Sequence, residues 1–403
     1  MTPSHPAADT IAILNVVLAF GWLRRAIAAL RGVPTIPDLT RAGAPLPDLR
    51  ASDGPDVTVI VPACNEEASI EATLRSLLGS TAVRLQIIAV NDRSLDRTGT
   101  LMEAAAAETQ AAAGAHSLEV IHIRELPAGW MGKTHALALA ADRAKAPWLL
   151  FTDGDMVFDQ RAVALALGYA EAEKADHVVL AFTLYFKSHA EAAVMAAFAA
   201  LASWSVRLWK VADPKARDFF GAGGFNLMRR AVYERVGGFA AMRMEVVEDL
   251  RIGWNIKRAG CAQRVVVGAG LARIRWIKGA LGIVGLLEKN GFAGLRYRSG
   301  LALLAFIGLA VQIVLPLAAI ALGGWPAVAG LAVYAAVALA YAANRPISQA
   351  SPWLAAFFAP ATAIFLFAIA RSMFLTLARG GVEWRGTRYP LDELRRNANR
   401  NWG

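Results

Sequence analysis

Short apolar runs alternate with helical stretches between Val57 and Thr152. The runs are rich in β-branched residues and predict strands, whereas the segments between them have the spacing of amphipathic helices. The predicted strands are Val57–Val61, Leu85–Val90, Leu118–Ile123 and Trp148–Thr152, and the predicted helices are Glu66–Leu78, Arg97–Ala113 and Thr134–Ala144. This alternation indicates an α/β fold built from βαβ units around a mostly parallel sheet.

Longer apolar segments occur near both ends of the chain. Thr10–Leu23 is uncharged and is followed by Arg24 and Arg25. A signal peptide carries its charges before the apolar core, so we interpret this segment as an N-terminal anchor with cytoplasmic arginines. Three further uncharged segments of about the length of a membrane span follow in the last third of the chain: Leu301–Ile320, Pro326–Ala343 and Trp353–Ala370.

These segments give a linear domain plan. It consists of an anchor (1–33), a proline-containing linker (34–56), an α/β domain (57–278), an interfacial helix (279–298), transmembrane segments (299–378) and a basic tail (379–403). A tight turn is predicted at Gly323–Pro326. Ala192–Val206 is a shorter apolar helix, which lies either in the protein core, as we favour, or on the membrane surface.

Composition supports the membrane interpretation. Of the 403 residues 56% are hydrophobic and 18% are charged, whereas soluble domains carry about 25% charged residues. The net charge of +10 suits a nucleic acid or a membrane surface, and also follows from positively charged cytoplasmic loops. Because of the apolar segments we predict a membrane and no nucleic acid as partner. Two isolated cysteines, Cys64 and Cys261, indicate neither a disulfide framework nor a zinc site.

The predicted topology contains a conflict. Three crossings after a cytoplasmic domain place the basic tail from Arg379 outside, against the positive-inside rule. One of the three segments could instead be re-entrant, with Pro316 and Pro360 as candidate break points.

Polar residues follow several of the predicted strands. Asn65, Asp92 and Asp153 lie at carboxyl ends of strands, where parallel sheets bind their ligands. Asp153 and Asp155 are one residue apart and can both reach a divalent cation, and their hard oxygen atoms suit Mg²⁺ or Mn²⁺. Taken alone, the Asp-Gly-Asp sequence is more typical of a surface turn.

Further motifs surround Asp153-Gly154-Asp155. They are Val-Ile-Val-Pro-Ala-Cys-Asn-Glu-Glu from Val59, Val-Asn-Asp-Arg-Ser-Leu-Asp-Arg-Thr from Val90, Gly-Trp-Met-Gly-Lys from Gly129 and Val-Glu-Asp-Leu from Val247. With these motifs the chain resembles the family 2 glycosyltransferases of the GT-A fold, over about Val57 to Arg275. The family's usual second-strand motif ends Asp-Asp-Gly-Ser-x-Asp, whereas here it reads Asn-Asp-Arg-Ser-Leu-Asp from Asn91.

The resemblance implies a binding site for a nucleotide-sugar. Asp153 and Asp155 would bind the donor phosphates through Mg²⁺ or Mn²⁺, and Asp96 would cap the following helix. The nucleotide pocket would be lined by Pro62, Ala63, Asn65, Glu67, which would reach the ribose, and Asp92, which would reach the base or ribose. Lys133 would attract phosphate at a helix start, or is an ordinary exposed lysine. His135 is expected to be packed rather than catalytic.

The resemblance also assigns the chemistry. Asp249 would be the general base of an inverting displacement, with Glu248 as a supporting neighbour; an acidic helix start is the alternative for both. Gly223 and Gly224 would face the acceptor or donor sugar, or form a plain turn.

Arg275 and Trp276 match part of the Gln-x-x-Arg-Trp motif of membrane-bound relatives. Ala272 stands at the glutamine position, so we favour a single sugar transfer over processive synthesis. Trp276 is equally explained as an interfacial anchor.

We therefore expect a metal-dependent, inverting hexosyltransferase that moves one sugar, UDP-linked, to a hydroxyl of a membrane lipid. The catalytic domain is expected on the cytoplasmic face of a bacterial inner membrane. The chain resembles the ceramide-glucosyltransferase-like and the carotenoid- and hopanoid-associated branches of the family. A processive polysaccharide synthase and a non-catalytic scaffold that keeps the nucleotide-binding fold are the alternatives, and the sequence predicts no oligomeric state.

Overall fold

The computed structural model describes residues 6–41, 43–47, 54–112 and 114–401. Part of the predicted linker (42 and 48–53), Ala113 at the end of a predicted helix and both chain ends lie outside the described residues. The α-helices are α1 (Pro6–Gly32), α2 (Ile70–Leu78), α3 (Thr98–Ala112), α4 (Gly132–Ala141), α5 (Ala162–Ala172), α6 (His189–Ala202), α7 (Arg230–Arg235), α8 (Glu248–Arg258), α9 (Gly282–Gly294), α10 (Ser299–Leu322), α11 (Gly324–Ser348), α12 (Phe358–Ala378) and α13 (Leu391–Asn401).

The strands form three sheets. They are β1 (Val57–Ala63), β2 (Leu85–Asp92), β3 (Ser117–Ile123), β4 (Trp148–Phe151), β5 (Val157–Phe158), β6 (His177–Ala181), β7 (Thr183–Leu184), β8 (Asn226–Arg229), β9 (Gln263–Val267), β10 (Ala272–Ile274), β11 (Gly381–Trp384) and β12 (Thr387–Pro390). The seven-stranded sheet has the order β3-β2-β1-β4-β8-β6-β9, and the smaller ones are β5-β10-β7 and β11-β12. In the large sheet β8 runs antiparallel to both neighbours, while the other pairs are parallel. The predicted α/β fold with a mostly parallel sheet is confirmed.

The chain divides into two compact units. The α/β unit contains Ile36–Thr183 and Leu208–Ile274, and the helical unit contains the residues up to Thr35, Leu184–Arg207 and Arg275–Asn399. This division interrupts the predicted continuous domain 57–278, because α6 packs with the helices. Side chains of α6 such as Val194 and Ala197 belong to the same buried cluster as Trp22 and Phe358.

The core of the α/β unit explains its nearly continuous apolar strands. All seven residues of β1 are buried, as expected for a parallel strand covered on both faces. On one side Ile60, Ile88 and Leu149 join a single hydrophobic cluster with residues of α4 and α8. Burying each such side chain contributes about 1.5–3 kcal/mol.

The start of the predicted linker joins the sheet. The N–H of Leu39 donates to Val267 O (2.8 Å), and the N–H of Val267 donates to Pro37 O (2.8 Å). The linker therefore pairs with β9 at the sheet edge, because the exposed backbone groups of an edge strand accept a further extended segment.

Within the described residues, the helical unit contains four helices that are long and apolar enough to cross a membrane. They cover Pro6–Thr35, Ser299–Leu322, Gly324–Ser348 and Pro352–Ala378. The two candidate break points do not interrupt them, since α10 continues through Pro316. Pro360 lies in the first turn of α12, where no intrahelical donor is required. The predicted turn at 323–326 is shorter than expected, because Gly323 alone (φ +74°) separates α10 from α11.

Candidate active site

The loops that follow β1, β2 and β4 meet at one edge of the large sheet. These strands are adjacent and parallel, so their carboxyl ends lie together. The first two loops are also tied to each other. The N–H of Asn65 donates to Ser94 Oγ (3.0 Å), and Asn65 Oδ1 accepts from the N–H of Leu95 (2.8 Å). Asn65, Asp92 and Asp153 therefore lie at the edge that the sequence predicts.

Lys133 joins two distant segments of the α/β unit. Its Nζ lies 2.6 Å from Asp153 Oδ1 and 2.7 Å from Glu248 Oε1. Burial by itself lowers the pKa of an ammonium, but the charges of Asp153, Glu248 and Asp249 outweigh it and raise the pKa of Lys133. Lys133 is thus a paired cation at the start of α4 and not an exposed lysine.

Asp249 is held beside this ion pair by two backbone donors. Its Oδ2 accepts from the N–H of Gly223 (2.9 Å), and its Oδ1 accepts from the N–H of Leu250 (2.7 Å). Burial, and then the charge of Glu248, raise the pKa of Asp249 to about 6, while Lys133 acts in the opposite direction. A fixed carboxylate whose pKa is close to neutral pH is suited to accept a proton.

Asp155 is a half-buried carboxyl group close to the charges of Asp153 and Glu66. Burial, followed by the charges of Asp153 and Glu66, raises the pKa of Asp155 to about 7, so a bound cation would stabilise its ionised form. Among the described residues, no group of three or more His, Cys, Asp and Glu side chains could hold a metal ion. Two carboxylates alone fit Mg²⁺ or Mn²⁺, because Mg²⁺ is usually held by one or two carboxylates together with substrate phosphates and water.

The glycine-rich loop Gly221–Gly224 lies against the side chain of Asp153 and the backbone of Asp249. A Cβ on Gly223 would be 2.6 Å from Asp153 Oδ2, and one on Gly221 would be 1.9 Å from the backbone oxygen of Asp249. Real Cβ atoms are not found at such distances. A Cβ on Gly224 would meet Phe182 and Met156. A side chain at any of these positions would therefore force its neighbours to shift, whereas glycine permits the close approach.

A buried polar network supports this loop and was not predicted. Gln263 Oε1 accepts from the N–H of Phe220 (3.0 Å), while its Nε2 donates to Gly253 O in α8 (3.0 Å) and to His177 Nδ1 (2.8 Å). The Nε2–H of His177 then donates to Asn226 Oδ1, and burial lowers the pKa of His177 to about 4. Gln263 thus clamps the loop to the helix that carries Asp249. No local sequence signal marks it, since Phe220 and Gln263 are far apart in the chain.

The side chain of Arg93 forms hydrogen bonds with both carboxylate oxygens of Asp92. Arg93 Nε donates to Asp92 Oδ1 (2.7 Å) and Arg93 Nη2 donates to Asp92 Oδ2 (3.0 Å). Arg93 has a φ of +56°, a conformation that glycine adopts without strain, and it stands where the related motif has glycine. Where the family motif has glycine, this chain therefore has Arg93, whose guanidinium binds Asp92, the carboxylate that is expected to contact the nucleotide.

The remaining residues predicted to line the nucleotide pocket lie at the carboxyl end of β1 and in the loop that follows it. Pro62 and Ala63 are its last two residues, and a Cβ on Gly154 would be 3.2 Å from that of Ala63. Glu67 Oε2 accepts from the N–H and Nε of Arg97 (both 3.2 Å). Asp96 Oδ1 accepts from the N–H of Thr98 (2.9 Å) at the start of α3, which confirms the predicted cap.

His135 follows Lys133 in α4 and lines a cavity of the α/β unit. The ring of His135 packs edge-on against Trp130, with 5.4 Å between centroids, as expected for a packed histidine. Both line a cavity of about 420 Å³. None of the predicted catalytic or metal-binding residues lines it.

Arg275 and Trp276 belong to the helical unit. Arg275 Nη2 lies 2.6 Å from Glu191 Oε1, and the ring of Trp276 packs against that of Phe198. The same Glu191 oxygen accepts from the N–H of Gly279 (2.7 Å), and Glu191 Oε2 accepts from the N–H of Lys187 (2.8 Å). Glu191, which the sequence analysis did not single out, therefore ties the start of α6 to the segment before α9.

Glu191→Gln should destabilise the helical unit. The hydrogen bond from Arg275 lowers the pKa of Glu191 to about 2, with burial opposing and the N–H groups of Lys187 and Gly279 assisting. Hydrogen bonds to a charged group contribute about 1.5–3 kcal/mol. The folded pKa is below the ordinary 4.5, so this stability is present above pH 4.5 and is lost as the pH falls toward 2.

Thermal unfolding in detergent at several pH values measures this difference. The unfolding midpoint of Glu191→Gln should be lower than that of wild type at pH 7, and the two should converge in acid. Glu383→Gln is the control, because Glu383 is an exposed carboxylate in the same unit. Equal midpoints for wild type and Glu191→Gln at pH 7 would contradict the assignment.

Comparison with known proteins shows which chains this protein resembles. Residues 58–251 match the family model of glycosyl transferase family 2. A 128-residue segment is 32% identical to YdaM of Bacillus subtilis (strain 168), described as a probable glycosyltransferase; it spans 31% of this chain and 29% of that relative. The mannosyltransferase PcManGT from Pyrobaculum calidifontis, solved in complex with GDP-Man and Mn²⁺, superposes with a TM-score of 0.53 at 19% identity. That superposition covers 91% of this chain and 99% of the other. The fold is therefore GT-A.

Proposed function

We propose that the protein is an inverting glycosyltransferase that moves one sugar from a nucleotide-sugar, UDP-linked, to a hydroxyl group of a membrane lipid. The observation that carries this proposal is the arrangement around Lys133. A single ammonium pairs Asp153, at the donor end of the sheet, with Glu248, whose neighbour Asp249 is fixed by backbone N–H groups. These contacts support the proposal that Asp153 binds the donor phosphates and that Asp249 accepts the proton beside it.

Each residue has a distinct part in the transfer. The carboxylate of Asp249 takes the proton of the acceptor hydroxyl while that oxygen bonds to the anomeric carbon. The bond from the anomeric carbon to the phosphate oxygen breaks on the opposite face, and the nucleoside diphosphate leaves with that electron pair. One such displacement inverts the anomeric carbon. Lys133, at the start of α4, attracts the diphosphate charge, and the N–H of Gly223 keeps Asp249 in place.

Asp153 and Asp155 would hold Mg²⁺ or Mn²⁺. When bound, such a cation neutralises charge on the departing diphosphate. Pro62, Ala63, Asn65, Glu67 and Asp92 would line the nucleotide pocket. The GDP-Man and Mn²⁺ in the structure of PcManGT support a nucleotide-sugar and a divalent cation as ligands.

The lipid acceptor is proposed from the four apolar helices. Their outward faces expose large apolar side chains, among them Phe20, Leu304 and Phe374, which water would solvate poorly. The arginines in the C-terminal half of α1 (Arg24, Arg25 and Arg31) favour a cytoplasmic catalytic unit at a bacterial inner membrane. Arg275 and Trp276 would support the acceptor side.

A donor panel tests the transfer itself. The purified protein in lipid nanodiscs is incubated with different nucleotide-sugars, and released nucleoside diphosphate and glycosylated lipid are measured by mass spectrometry. One added sugar per lipid is expected. A long polymer would favour a processive synthase, whereas binding of donors without turnover of any would favour a scaffold. Lipid extracts from cells with and without the gene identify the acceptor.

Asp155→Ala should abolish metal-dependent donor binding. In wild type we expect Mn²⁺ to raise the affinity for the donor in calorimetry, because Asp153 and Asp155 would hold the cation and its positive charge would attract the diphosphate. The variant should bind the donor equally weakly with and without Mn²⁺. Asp142→Ala is the control, since Asp142 is an exposed carboxylate at the end of α4. Unchanged Mn²⁺-dependent binding by Asp155→Ala would refute the assignment.

A further inference from the structure

Helices α10 and α11 form a hairpin that defines two sides of the helical unit. Gly323 alone connects them, and a Cβ on Gly330 of α11 would be 2.7 Å from Pro316 O of α10, so the two helices pack antiparallel. We call the side of this connection the Gly323 side. The opposite side carries the start of α10 and the end of α11, and we call it the α9 side because α9 leads directly into α10.

Helix α12 begins on the α9 side. The chain leaves α11 at Ser348, and a 3-10 helix over Pro352–Phe357 leads into α12 at Phe358. This short helix packs against both α11 and α6. A connection of three residues between Ser348 and Pro352 is too short to reach the Gly323 side.

Helix α12 also ends on the α9 side. Glu288 of α9 pairs with Arg371 Nη2 (3.1 Å) and with Arg379 Nη1 (3.2 Å). Ser372 Oγ donates to Glu288 O (2.8 Å) and accepts from the N–H of Phe292 (2.9 Å). These contacts tie the last two turns of α12 to α9.

The position of α9 is fixed in turn by the start of α10. The N–H of Tyr297 donates to Phe292 O (2.9 Å), and the N–H of Ala302 donates to Arg298 O (3.1 Å). Phe292 thus lies close to the first turn of α10. Helix α12 has 21 residues and measures about 31 Å. If α12 crossed the bilayer, it would end near Gly323 and not beside α9.

The outward surface of α12 combines apolar and basic side chains. Phe367 and Phe374 are 55% and 68% exposed, while Thr362, Ser372 and Thr376 on the inner side are buried. Arg371 and Arg379 lie toward the C-terminal end of the same helix. Aromatic side chains on one face with neighbouring arginines are typical of helices that lie in a membrane interface and attract anionic headgroups.

We propose that α12 does not cross the bilayer but lies in its surface on the α9 side. Phe367 and Phe374 contact the acyl boundary, and Arg371 and Arg379 lie level with anionic phospholipid headgroups. This inference relies on the membrane part of the proposed function and is independent of the sugar transfer.

The arrangement resolves the conflict with the positive-inside rule. Asn15 Nδ2 donates to Leu315 O (3.0 Å) and Trp22 Nε1 donates to Gln312 Oε1 (2.9 Å), so α1 runs antiparallel to α10 and ends on the α9 side. Three helices, α1, α10 and α11, then cross. The arginines after Leu23 and the basic tail from Arg379 emerge on one side, as cytoplasmic segments should.

Thiol labelling of sealed vesicles tests the side of the tail. Single cysteines replace Glu383 in the tail, Trp325 at the start of α11 and Lys145 in the α/β unit, in a background in which Cys64 and Cys261 are alanine. A membrane-impermeant maleimide should label Glu383→Cys and Lys145→Cys in the same vesicle orientation and Trp325→Cys in the other. Labelling of Glu383→Cys together with Trp325→Cys would overturn the proposal. Extraction of the whole protein by alkaline carbonate would instead overturn the membrane location itself, whatever the transferase activity.

Spin-label depth tests the orientation of α12 directly. Labels at Phe367 and Phe374 are seven residues apart, which is about 10 Å along a helix. Equal depths of immersion are expected for these two labels. The matched control pair is Leu304 and Val311 on α10, also seven residues apart and exposed, for which depths differing by about 10 Å are expected. A difference of that size on α12 would show that it crosses.

The lipid charge is tested with the same labels. In vesicles that contain phosphatidylglycerol, the label at Phe374 should lie deeper and be less mobile than in vesicles of phosphatidylcholine alone. Identical depth and mobility in both would overturn the part of the proposal that concerns anionic headgroups.

Discussion

Asp249→Asn should lower kcat by about 10²–10⁴-fold, the usual contribution of a general base. Asparagine keeps the size of the side chain and can still accept from the N–H of Gly223, which bonds to Asp249 Oδ2 at 2.9 Å. It cannot take a proton from the acceptor hydroxyl. Donor affinity in calorimetry should therefore change little, since the proposed donor ligands Asp153 and Asp155 remain in place.

The control for this variant is Asp142→Asn at the exposed end of α4, which should have wild-type kcat. Initial rates at saturating donor and acceptor measure the effect. A kcat for Asp249→Asn within a few-fold of wild type would remove Asp249 from the role of base.

The same residue sets a pH dependence. Burial and the charge of Glu248 raise the pKa of Asp249 to about 6, and a base must be ionised to act. The kcat of the wild-type protein should be highest above this value and should fall as the pH decreases through about 6. The raised pKa also affects stability. Between the ordinary pKa of 3.8 and about 6, the carboxyl group of Asp249 is protonated more often in the folded chain than in the unfolded chain. The contribution of Asp249 to stability therefore decreases as the pH rises through this range. A flat kcat profile between pH 5 and 7 would contradict this role.

The sequence predicted those parts of the structure that depend on local pattern. Strand ends are marked by a change from apolar to polar residues, so the positions of Asn65, Asp92 and Asp153 were accessible from β1, β2 and β4. The glycine before Lys133 correctly indicated a helix start, because α4 begins at Gly132. Parallel topology then brings such ends together without any further information.

Contacts between distant segments were not accessible in the same way. Gln263 connects the glycine loop to α8 through hydrogen bonds to Phe220 and Gly253, and its sequence neighbours give no sign of this. Arg93 was visible as a departure from a motif, but its bidentate contact with Asp92 depends on the conformation at φ +56°. For α12, length and hydropathy predict a crossing, whereas the tertiary contacts of Glu288 favour a helix in the membrane surface.

The glycine loop gives the second large expected effect, for Gly221→Ala. A Cβ at this position would be 1.9 Å from Asp249 O and 2.8 Å from its carbonyl carbon. Both are backbone atoms of α8, which cannot rotate away as a flexible side chain could. The glycine loop or the start of α8 must shift. Gln263 opposes this shift because it forms hydrogen bonds with Phe220 before the loop and with Gly253 in α8.

A displacement of this kind acts on catalysis through position. The hydrogen bond from the N–H of Gly223 to Asp249 lies two residues along the same loop, so moving the loop moves Asp249, the proposed proton acceptor, relative to Asp153. Misplacement of a reacting group by about 1 Å can lower the rate by about 10²-fold, which corresponds to about 2.7 kcal/mol. We expect a loss of this order in kcat for Gly221→Ala.

Gly114→Ala is the matched control, because no heavy atom lies within 4 Å of the Cβ that it would add. It should retain wild-type kcat and thermal stability. Donor binding by calorimetry and the unfolding midpoint show whether Gly221→Ala remains folded. If the kcat falls while donor binding is retained, the loop positions Asp249, whereas wild-type kcat for Gly221→Ala would mean that the contact between Gly221 and the backbone of α8 is not needed for the reaction.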